Sequence, residues 1–134
     1  AVVHLGDYIY EYSSDSSSYA AEDAQALGRT FSEDNNLELI ELVDYRRRYA
    51  AYRADPDLQS LHARVPFIVV WDDHEVANDA WEEGAENHNE GEGDFTQRKL
   101  NALKASMPSA LQRMLAVRTV PCWAPSNCSG CSLP

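Results

Sequence analysis

The sequence is poor in basic residues. It carries 11 Lys and Arg against 22 Asp and Glu, which gives a formal net charge of −11 at pH 7. Nucleic-acid backbones and anionic membrane surfaces are bound through a basic footprint. The composition therefore predicts no nucleic-acid-binding surface. Any phosphate that this chain meets must be held by something other than the net charge, and carboxylates that bind a metal ion are one such means.

Long apolar runs are also missing. A membrane-spanning helix needs about 20 consecutive apolar residues, whereas the longest candidate stretch runs only from Val65 to Trp71. We therefore predict no membrane span. The chain also shows no basic segment followed by an apolar one, and it begins in strand-like residues without Met. We therefore predict no signal peptide within these residues.

Cysteine does not occur before position 122. Cys122, Cys128 and Cys131 all lie in a tail that contains Pro and Ser. An odd number of thiols gives no complete disulfide framework, and three thiols without a nearby His fall short of the four ligands of structural zinc. We predict an irregular tail over residues 119–134.

The rest of the chain has the composition of a folded domain, with 44% hydrophobic residues, three Trp and seven Tyr. Ala1 to Leu5 is a short apolar run that predicts a strand, and Gly6 and Asp7 predict a turn after it. From Leu37 a helix is expected, capped by Asn35 with Glu38. Its apolar face is formed by residues at steps of three and four: Leu42, Tyr45, Tyr49 and Tyr52.

Further along, Pro56 predicts the first position of a short helix that extends to about Ala63. Phe67 to Trp71 is a continuous apolar run rich in β-branched residues, which predicts a strand covered on both faces. Asp94 with Gln97 favours the cap of a last helix, and Pro108 is expected to kink or split it. Its predicted apolar side consists of Leu100, Leu103, Met107, Leu111 and Met114.

Acidic residues follow both predicted strands. Two strands separated by helix favour a β-α-β unit, in which the strands are parallel and their carboxyl ends open at one edge of the sheet. Asp7 would meet Asp72 and Asp73 there, and such carboxylates repel one another unless a cation or protons lie between them. Oxygen ligands of this kind suit Mg, Ca, Mn or oxidised iron.

Metal-assisted hydrolysis is the chemistry that such a site predicts, with His74 supplying or taking the proton. Structural explanations stay open for each residue taken alone. Asp7 is also typical of a turn, His4 of a packed histidine, and Asp72 or Asp73 of a helix cap.

Three segments of the sequence resemble the PhoD-like alkaline phosphatases. They are His4-Leu5-Gly6-Asp7-Tyr8-Ile9-Tyr10-Glu11, Asp44-Tyr45-Arg46-Arg47-Arg48-Tyr49 and Trp71-Asp72-Asp73-His74-Glu75-Val76-Ala77-Asn78-Asp79. The resemblance runs from Ala1 to about Arg118, so residues 1–118 are expected to form a partial domain of this family. It implies an α/β fold that is a portion of a four-layer αββα metallophosphoesterase sandwich.

The resemblance also implies roles for single residues. Asp7 would bridge two metals, Tyr10 would be a phenolate ligand to Fe³⁺, and Asp73 would bind a second metal, Ca²⁺. His74 would lie beside the phosphate, with Asp72 and Glu75 orienting the ligands. The implied substrates are phosphate monoesters and diesters, and the implied location is outside the cytoplasm, in the periplasm or the extracellular space.

The chain departs from the family in length. Family members carry a Cys-bearing segment before this start and His- and Asp-bearing motifs after this end, and these complete both metal shells. We therefore expect the chain by itself to bind metals weakly and to hydrolyse phosphate esters slowly or not at all. No pattern in the sequence predicts an oligomeric state.

Two other functions are compatible with the sequence. One is a non-catalytic acidic fragment that binds calcium through Asp7, Asp73 and the Glu-rich stretch from Glu82 to Asp94, although no EF-hand spacing occurs there. The other is a hydrolase with a serine nucleophile beside His74. The absence of a G-x-S-x-G segment disfavours it.

Overall fold

The structure is a computed structural model, and it describes residues 1–14 and 31–107. Along the chain it contains β1 (Val2–His4), α1 (Leu42–Arg53), α2 (Pro56–Arg64), β2 (Phe67–Val69) and α3 (Phe95–Ser106). This mixture of helices and a small sheet agrees with the predicted α/β class. None of the described helices has the length and apolar character that a membrane crossing requires. The predicted tail and its three cysteines lie outside the described residues.

The two strands are parallel, as the β-α-β prediction requires. Val2 lies opposite Phe67 and His4 lies opposite Val69. The pairing extends one residue further, because the Val70 N–H donates to the His4 carbonyl oxygen at 3.1 Å. Both strands therefore end at the same edge of the sheet, and the loops that follow them leave side by side.

Contrary to the prediction, the described residues do not cover the second strand on both faces. Among residues 1–14 and 31–107 the sheet has two strands. β2 ends at Val69, and Ile68 and Trp71 keep 57% and 36% of their surface exposed. The physical reason is that α1 and α3 pack against each other and enclose the loops that follow the strands. The sheet thus aligns the loops, while most of the apolar burial occurs beside it.

The core forms where α1 and α3 meet those loops. Its buried members include aromatic rings from α1, alanines from α3 and apolar residues that follow each strand. They are Tyr8, Ile9, Leu39, Tyr45, Tyr49, Val76, Ala77, Ala85, Phe95, Ala102 and Ala105. Leu42 and Tyr52 pack against this cluster, so the predicted apolar face of α1 is confirmed.

The start of α1 differs from the prediction. The helix begins at Leu42 rather than Leu37, and its N-cap is Glu41, whose N–H donates to Asp44 Oδ2 at 2.9 Å. The residues before it take part in other contacts, since the Leu39 N–H donates to the Glu11 carbonyl oxygen at 3.0 Å. This contact with the loop after β1 holds Leu39 in the core and delays the helix.

The predicted start of α2 at Pro56 and the predicted cap of α3 at Asp94 are confirmed. Asp55 precedes Pro56, and its side chain accepts hydrogen bonds from the N–H groups of Asp57 and Leu58. At α3 the side chain of Asp94 accepts from the N–H groups of Thr96 and Gln97. Each carboxylate satisfies two donors that a helix start leaves free.

The predicted apolar side of α3 is wrong. Leu100 and Leu103 are exposed, and the buried side is formed by Phe95, Arg98, Asn101, Ala102 and Ala105. Alanines allow α3 to approach α1 closely, and a buried arginine on this side is tolerated because it is paired. The helix ends at Ser106, before the expected break at Pro108. Leu111 and Met114 lie outside the described residues.

Arg98 is the paired arginine. It forms ion pairs with Glu38 at 2.9 Å and Glu92 at 3.2 Å, and its Nε donates to the Tyr45 hydroxyl at 3.2 Å. That hydroxyl donates in turn to the Val76 carbonyl oxygen at 2.6 Å. A buried polar chain therefore links α3 and α1 to the loop after β2.

Replacement of Tyr45 by Phe tests this chain. We expect the free energy of unfolding at about pH 8 to fall by roughly 1–3 kcal/mol, because the Val76 carbonyl oxygen loses its buried donor. Burial raises the pKa of Tyr45 to about 12, above the value of about 10 in an unfolded chain. The stability that this group contributes is therefore present below about pH 10 and is lost as the pH rises toward 12.

Urea unfolding at about pH 8 and about pH 11 measures both effects. Wild-type stability should fall more steeply over this range than that of Tyr45→Phe. Equal stabilities at the lower pH would show that the hydroxyl does not hold the two helices to the loop.

Candidate metal centre

The loops after the two strands approach each other closely at Gly6. Gly6 has φ +116° and Asp7 has φ 57°, so the chain turns sharply as β1 ends. A Cβ atom on Gly6 would lie 2.4 Å from Asp72 Cβ and 2.5 Å from Asp72 N. Only glycine fits at this position, because it tolerates the positive φ angle and has no side chain to clash with Asp72.

The buried carboxylate of Glu75 ties the same two loops together. It is 1% exposed and accepts three backbone hydrogen bonds, two from the first loop and one from the second. The donors are Asp7 N at 3.1 Å, Tyr8 N at 2.5 Å and Asp72 N at 2.8 Å. Bonds from several N–H groups are what allows a carboxylate to be buried without a cation beside it.

Asp7, Asp73 and His74 converge at the end of the sheet. One potential ligand atom from each of them lies within 4.8 Å of the others. Within residues 1–14 and 31–107, these three side chains therefore form a group that could hold a metal ion. Asp7 Oδ1 is buried and has no hydrogen-bond partner within those described ranges. A buried acceptor without a donor costs free energy unless a cation or a proton satisfies it.

Tyr10 borders this cluster. Its hydroxyl donates to Asp7 Oδ2 at 3.4 Å, and its ring lies 4.2 Å from the His74 ring, measured between centroids. Two carboxylates, an imidazole and a phenol thus share one corner of the molecule. This donor set suits a hard or borderline cation, since oxygen atoms predominate in it.

Asp73 occupies a tight turn. Its Oδ1 accepts from the His74 N–H at 3.0 Å, and its Oδ2 accepts from the Asp79 N–H. Its carbonyl oxygen accepts from the N–H groups of Val76 and Ala77. The carboxylate is therefore fixed before any ligand binds, which reduces the entropy lost on binding.

Glu11 contacts His74 at Nδ1, and the sequence did not predict a role for it. It is 0% exposed, and its Oε2 lies 2.8 Å from His74 Nδ1. The sequence offered one signal for such a role. Glu11 is a single charged residue among Tyr8, Tyr10 and Tyr12, and a charged side chain needs a partner when it is buried. Burial, followed by the charge of Glu11, raises the pKa of Tyr12.

Arg48 holds the backbone around the cluster and was also missed. It is almost fully buried, and its guanidinium donates to backbone carbonyl oxygens on both sides of the loop. The acceptors are Tyr10 at 2.5 Å, Tyr12 at 3.0 Å, Asn35 at 3.1 Å and Leu37 at 2.9 Å. Position 48 lies three residues after Tyr45 and four before Tyr52, so helical spacing could have indicated its burial.

Not every predicted residue joins the cluster. The Asp72 side chain is exposed, and its orienting role stays a prediction, as do the roles assigned to the other site residues. His4 packs edge-on against Tyr8, with 5.4 Å between ring centroids. This geometry favours the packing interpretation of His4.

The Glu-rich stretch from Glu82 to Asp94 has other contacts. Glu92 pairs with Arg98, Glu86 accepts from Asn78 Nδ2 at 2.7 Å, and Asp94 caps α3. None of its residues belongs to a metal-type group within the described part of the chain. The serines from Ser16 to Ser18 lie outside the described residues.

Comparison with known proteins agrees with this geometry. The family model of the PhoD-like phosphatase matches residues 1–109. The chain belongs to the PhoD-like phosphatase family. The match includes Asp7, Asp73 and His74, as well as the helices that enclose their loops.

A curated relative and a solved structure extend the comparison. Alkaline phosphatase D of Bacillus subtilis (strain 168) is 48% identical over 77 residues, which are 58% of this chain and 12% of the relative. A solved structure titled "Structure of PhoD" matches with a TM-score of 0.58 and 36% identity, over 80% of this chain and 20% of the solved chain. The PhoD-like chain thus spans about an eighth to a fifth of the length of these proteins.

Replacement of Gly6 by Ala tests the close approach of the loops. We expect a loss of roughly 1–3 kcal/mol in the free energy of unfolding from the strained φ angle, plus about 1–3 kcal/mol from the clash with Asp72. Gly91→Ala is the matched control, because Gly91 has φ +98° but no atom within 4 Å of its added Cβ. Urea unfolding compares the two variants, and equal losses would show that the loops can separate freely.

Proposed function

We propose that this chain carries part of the two-metal site of an enzyme that hydrolyses phosphate monoesters and diesters. The observation that carries the proposal is the convergence of Asp7, Asp73 and His74, with a buried oxygen of Asp7 that has no donor among the described residues. Membership of the PhoD-like phosphatase family supports the same reaction. The Bacillus subtilis relative is likewise named as a phosphatase.

Asp7, Tyr10 and Asp73 are the proposed metal ligands, with ferric iron at the phenol and calcium at Asp73. The oxygen-rich donor set supports hard cations, and the resemblance of Gly6-Asp7-Tyr8-Ile9-Tyr10 to the family motif supports iron. Bound metal ions would neutralise the phosphate charge and lower the pKa of a water molecule. The excess of 22 acidic over 11 basic residues supports a cation as the group that recruits phosphate.

The protein groups around the cluster have separate tasks in this proposal. His74 exchanges a proton with the attacking water or the leaving group. Glu75 holds the loop backbones of Asp7 and Asp72 at a fixed separation through three N–H donors. Asp72, at the rim of the site, orients the ligands beside it. Residues that hold the reacting groups are needed beside them, because catalytic groups must stay within a fraction of an ångström of the productive geometry.

The proposal also concerns the rest of the enzyme. Residues 1–118 would form a portion of a four-layer αββα sandwich, and exposed apolar residues on the sheet, such as Val3 and Ile68, support a covering layer there. The remaining metal ligands would come from other segments. We therefore expect little hydrolysis by the chain alone, and export to the periplasm or the extracellular space for the whole enzyme.

Iron titration of the purified chain tests the ligands directly. We expect a visible charge-transfer band when Fe³⁺ is added, because a phenolate bound to ferric iron absorbs visible light. Tyr10→Phe should abolish the band. Tyr12→Phe should keep it, because the hydroxyl that contacts the proposed ligand Asp7 is that of Tyr10.

An ionic strength of about 0.15 M limits non-specific attraction of cations to the acidic surface, since charges are then screened beyond about 8 Å. Asp7→Ala is expected to remove binding of both iron and calcium, and Glu86→Ala to change it little. Calcium binding that Glu86→Ala also weakens, with no iron band in the wild type, would favour the non-catalytic acidic fragment instead, because its site includes the Glu-rich stretch.

Hydrolysis is tested in the context of a complete phosphatase. Residues 1–109 replace the matching segment of the Bacillus subtilis alkaline phosphatase D, and release of p-nitrophenol from its phosphate ester is measured. The chimera should be active. Asp7→Ala should lower kcat/KM by more than the roughly 10–100-fold typical for a group that only supports a metal ligand.

Glu86→Ala is the control in the chimera and should stay within about twofold of the parent, as expected for an exposed substitution. A chelator should abolish the activity, whereas a serine-directed inhibitor should leave it unchanged. The reverse sensitivity would favour a serine nucleophile and contradict the proposal.

A further inference from the structure

The His74 ring is fixed on more than one side. Its Nδ1 lies 2.8 Å from Glu11 Oε2, and its plane lies against Tyr10 at 4.2 Å between centroids. Tyr12 contacts it from a further direction at 5.7 Å. A ring with these contacts has few alternative rotamers, so the contact of Nδ1 with Glu11 also sets the direction of Nε2.

Glu11 is itself surrounded by donors. Its Oε1 accepts from the Asn78 N–H at 2.6 Å and from Asn87 Nδ2 at 2.9 Å. Both partners donate protons, and an ionised carboxylate only accepts them. These two donors occupy Oε1, so Oε2 is the oxygen left to contact His74.

The geometry points to Glu11 as the positioning residue of the proposed phosphoesterase site, the group that fixes the tautomer and the orientation of His74. With the proton on Nδ1 donated to Glu11, Nε2 is the ring nitrogen left to accept or return a proton. The inference rests on the proposed function for the reaction that His74 serves. The contact between Glu11 and His74 itself does not depend on that function.

Nitrogen NMR of the metal-free chain tests the inference without an activity assay. Long-range ¹H–¹⁵N correlations identify which ring nitrogen of a neutral histidine carries the proton. The chain has four histidines, and the spectrum of His74→Asn identifies the His74 signals by their loss. We expect the Nδ1–H tautomer in the wild type, and the Nε2–H tautomer there would overturn the inference.

Glu11→Gln should invert the tautomer. The Asn78 N–H needs an acceptor, so the amide oxygen of the new side chain takes that place and its NH₂ group faces His74. His74 Nδ1 must then accept, and the proton moves to Nε2. A folded Glu11→Gln chain with an unchanged tautomer contradicts the inference, and if this variant does not fold, the wild-type tautomer decides.

Glu86→Gln is the matched control, because Glu86 also binds Asn78, through the side-chain amide at 2.7 Å, but is exposed. It should leave the His74 tautomer unchanged, and an inversion there as well would contradict a specific role for Glu11. A chain with the Nδ1–H tautomer but no iron band contradicts the proposed function alone. An iron band together with the Nε2–H tautomer contradicts the role of Glu11 alone.

Discussion

The arrangement of the site depends on the buried carboxylate of Glu75. It accepts N–H groups from Asp7, Tyr8 and Asp72, so the chain after β1 and the chain after β2 are held by one side chain. The two-stranded sheet supplies the direction of both loops, and Gly6 permits their close approach. Together these contacts bring Asp7 close to Asp73 without a large apolar core beneath the two residues.

Burial is concentrated on the other side of these loops. Aromatic residues of α1 and alanines of α3 enclose Ile9 and Val76, and the polar chain from Arg98 through Tyr45 to Val76 ties the helices to the second loop. Removing a buried hydroxyl or ion-pair partner is costly because it leaves its neighbours unsatisfied. The loops of the site are thus held by specific polar contacts on a packed helical support.

Local chemistry and chain connectivity allowed several features to be predicted from the sequence. They are the parallel strands, the end at which the acids meet, the start of α2 at Pro56 and the cap of α3 at Asp94. The buried face of α3 was not predictable from apolar spacing, since Arg98 is buried through partners distant in sequence. The contact between Glu11 and His74 joins residues 63 positions apart. The exposure of β2 was missed because an apolar run does not tell whether this chain supplies its cover.

Arg48 binds the loop through carbonyl oxygens of Tyr10, Tyr12 and Leu37, and every amino acid carries such an oxygen. The shape of the loop therefore depends little on which side chains stand at those positions. A change at Tyr10 can alter the chemistry of the corner while the path of the backbone is preserved. Arg48 itself has no such freedom, because a lysine ammonium has three donors and lacks the planar fork that reaches both sides of the loop.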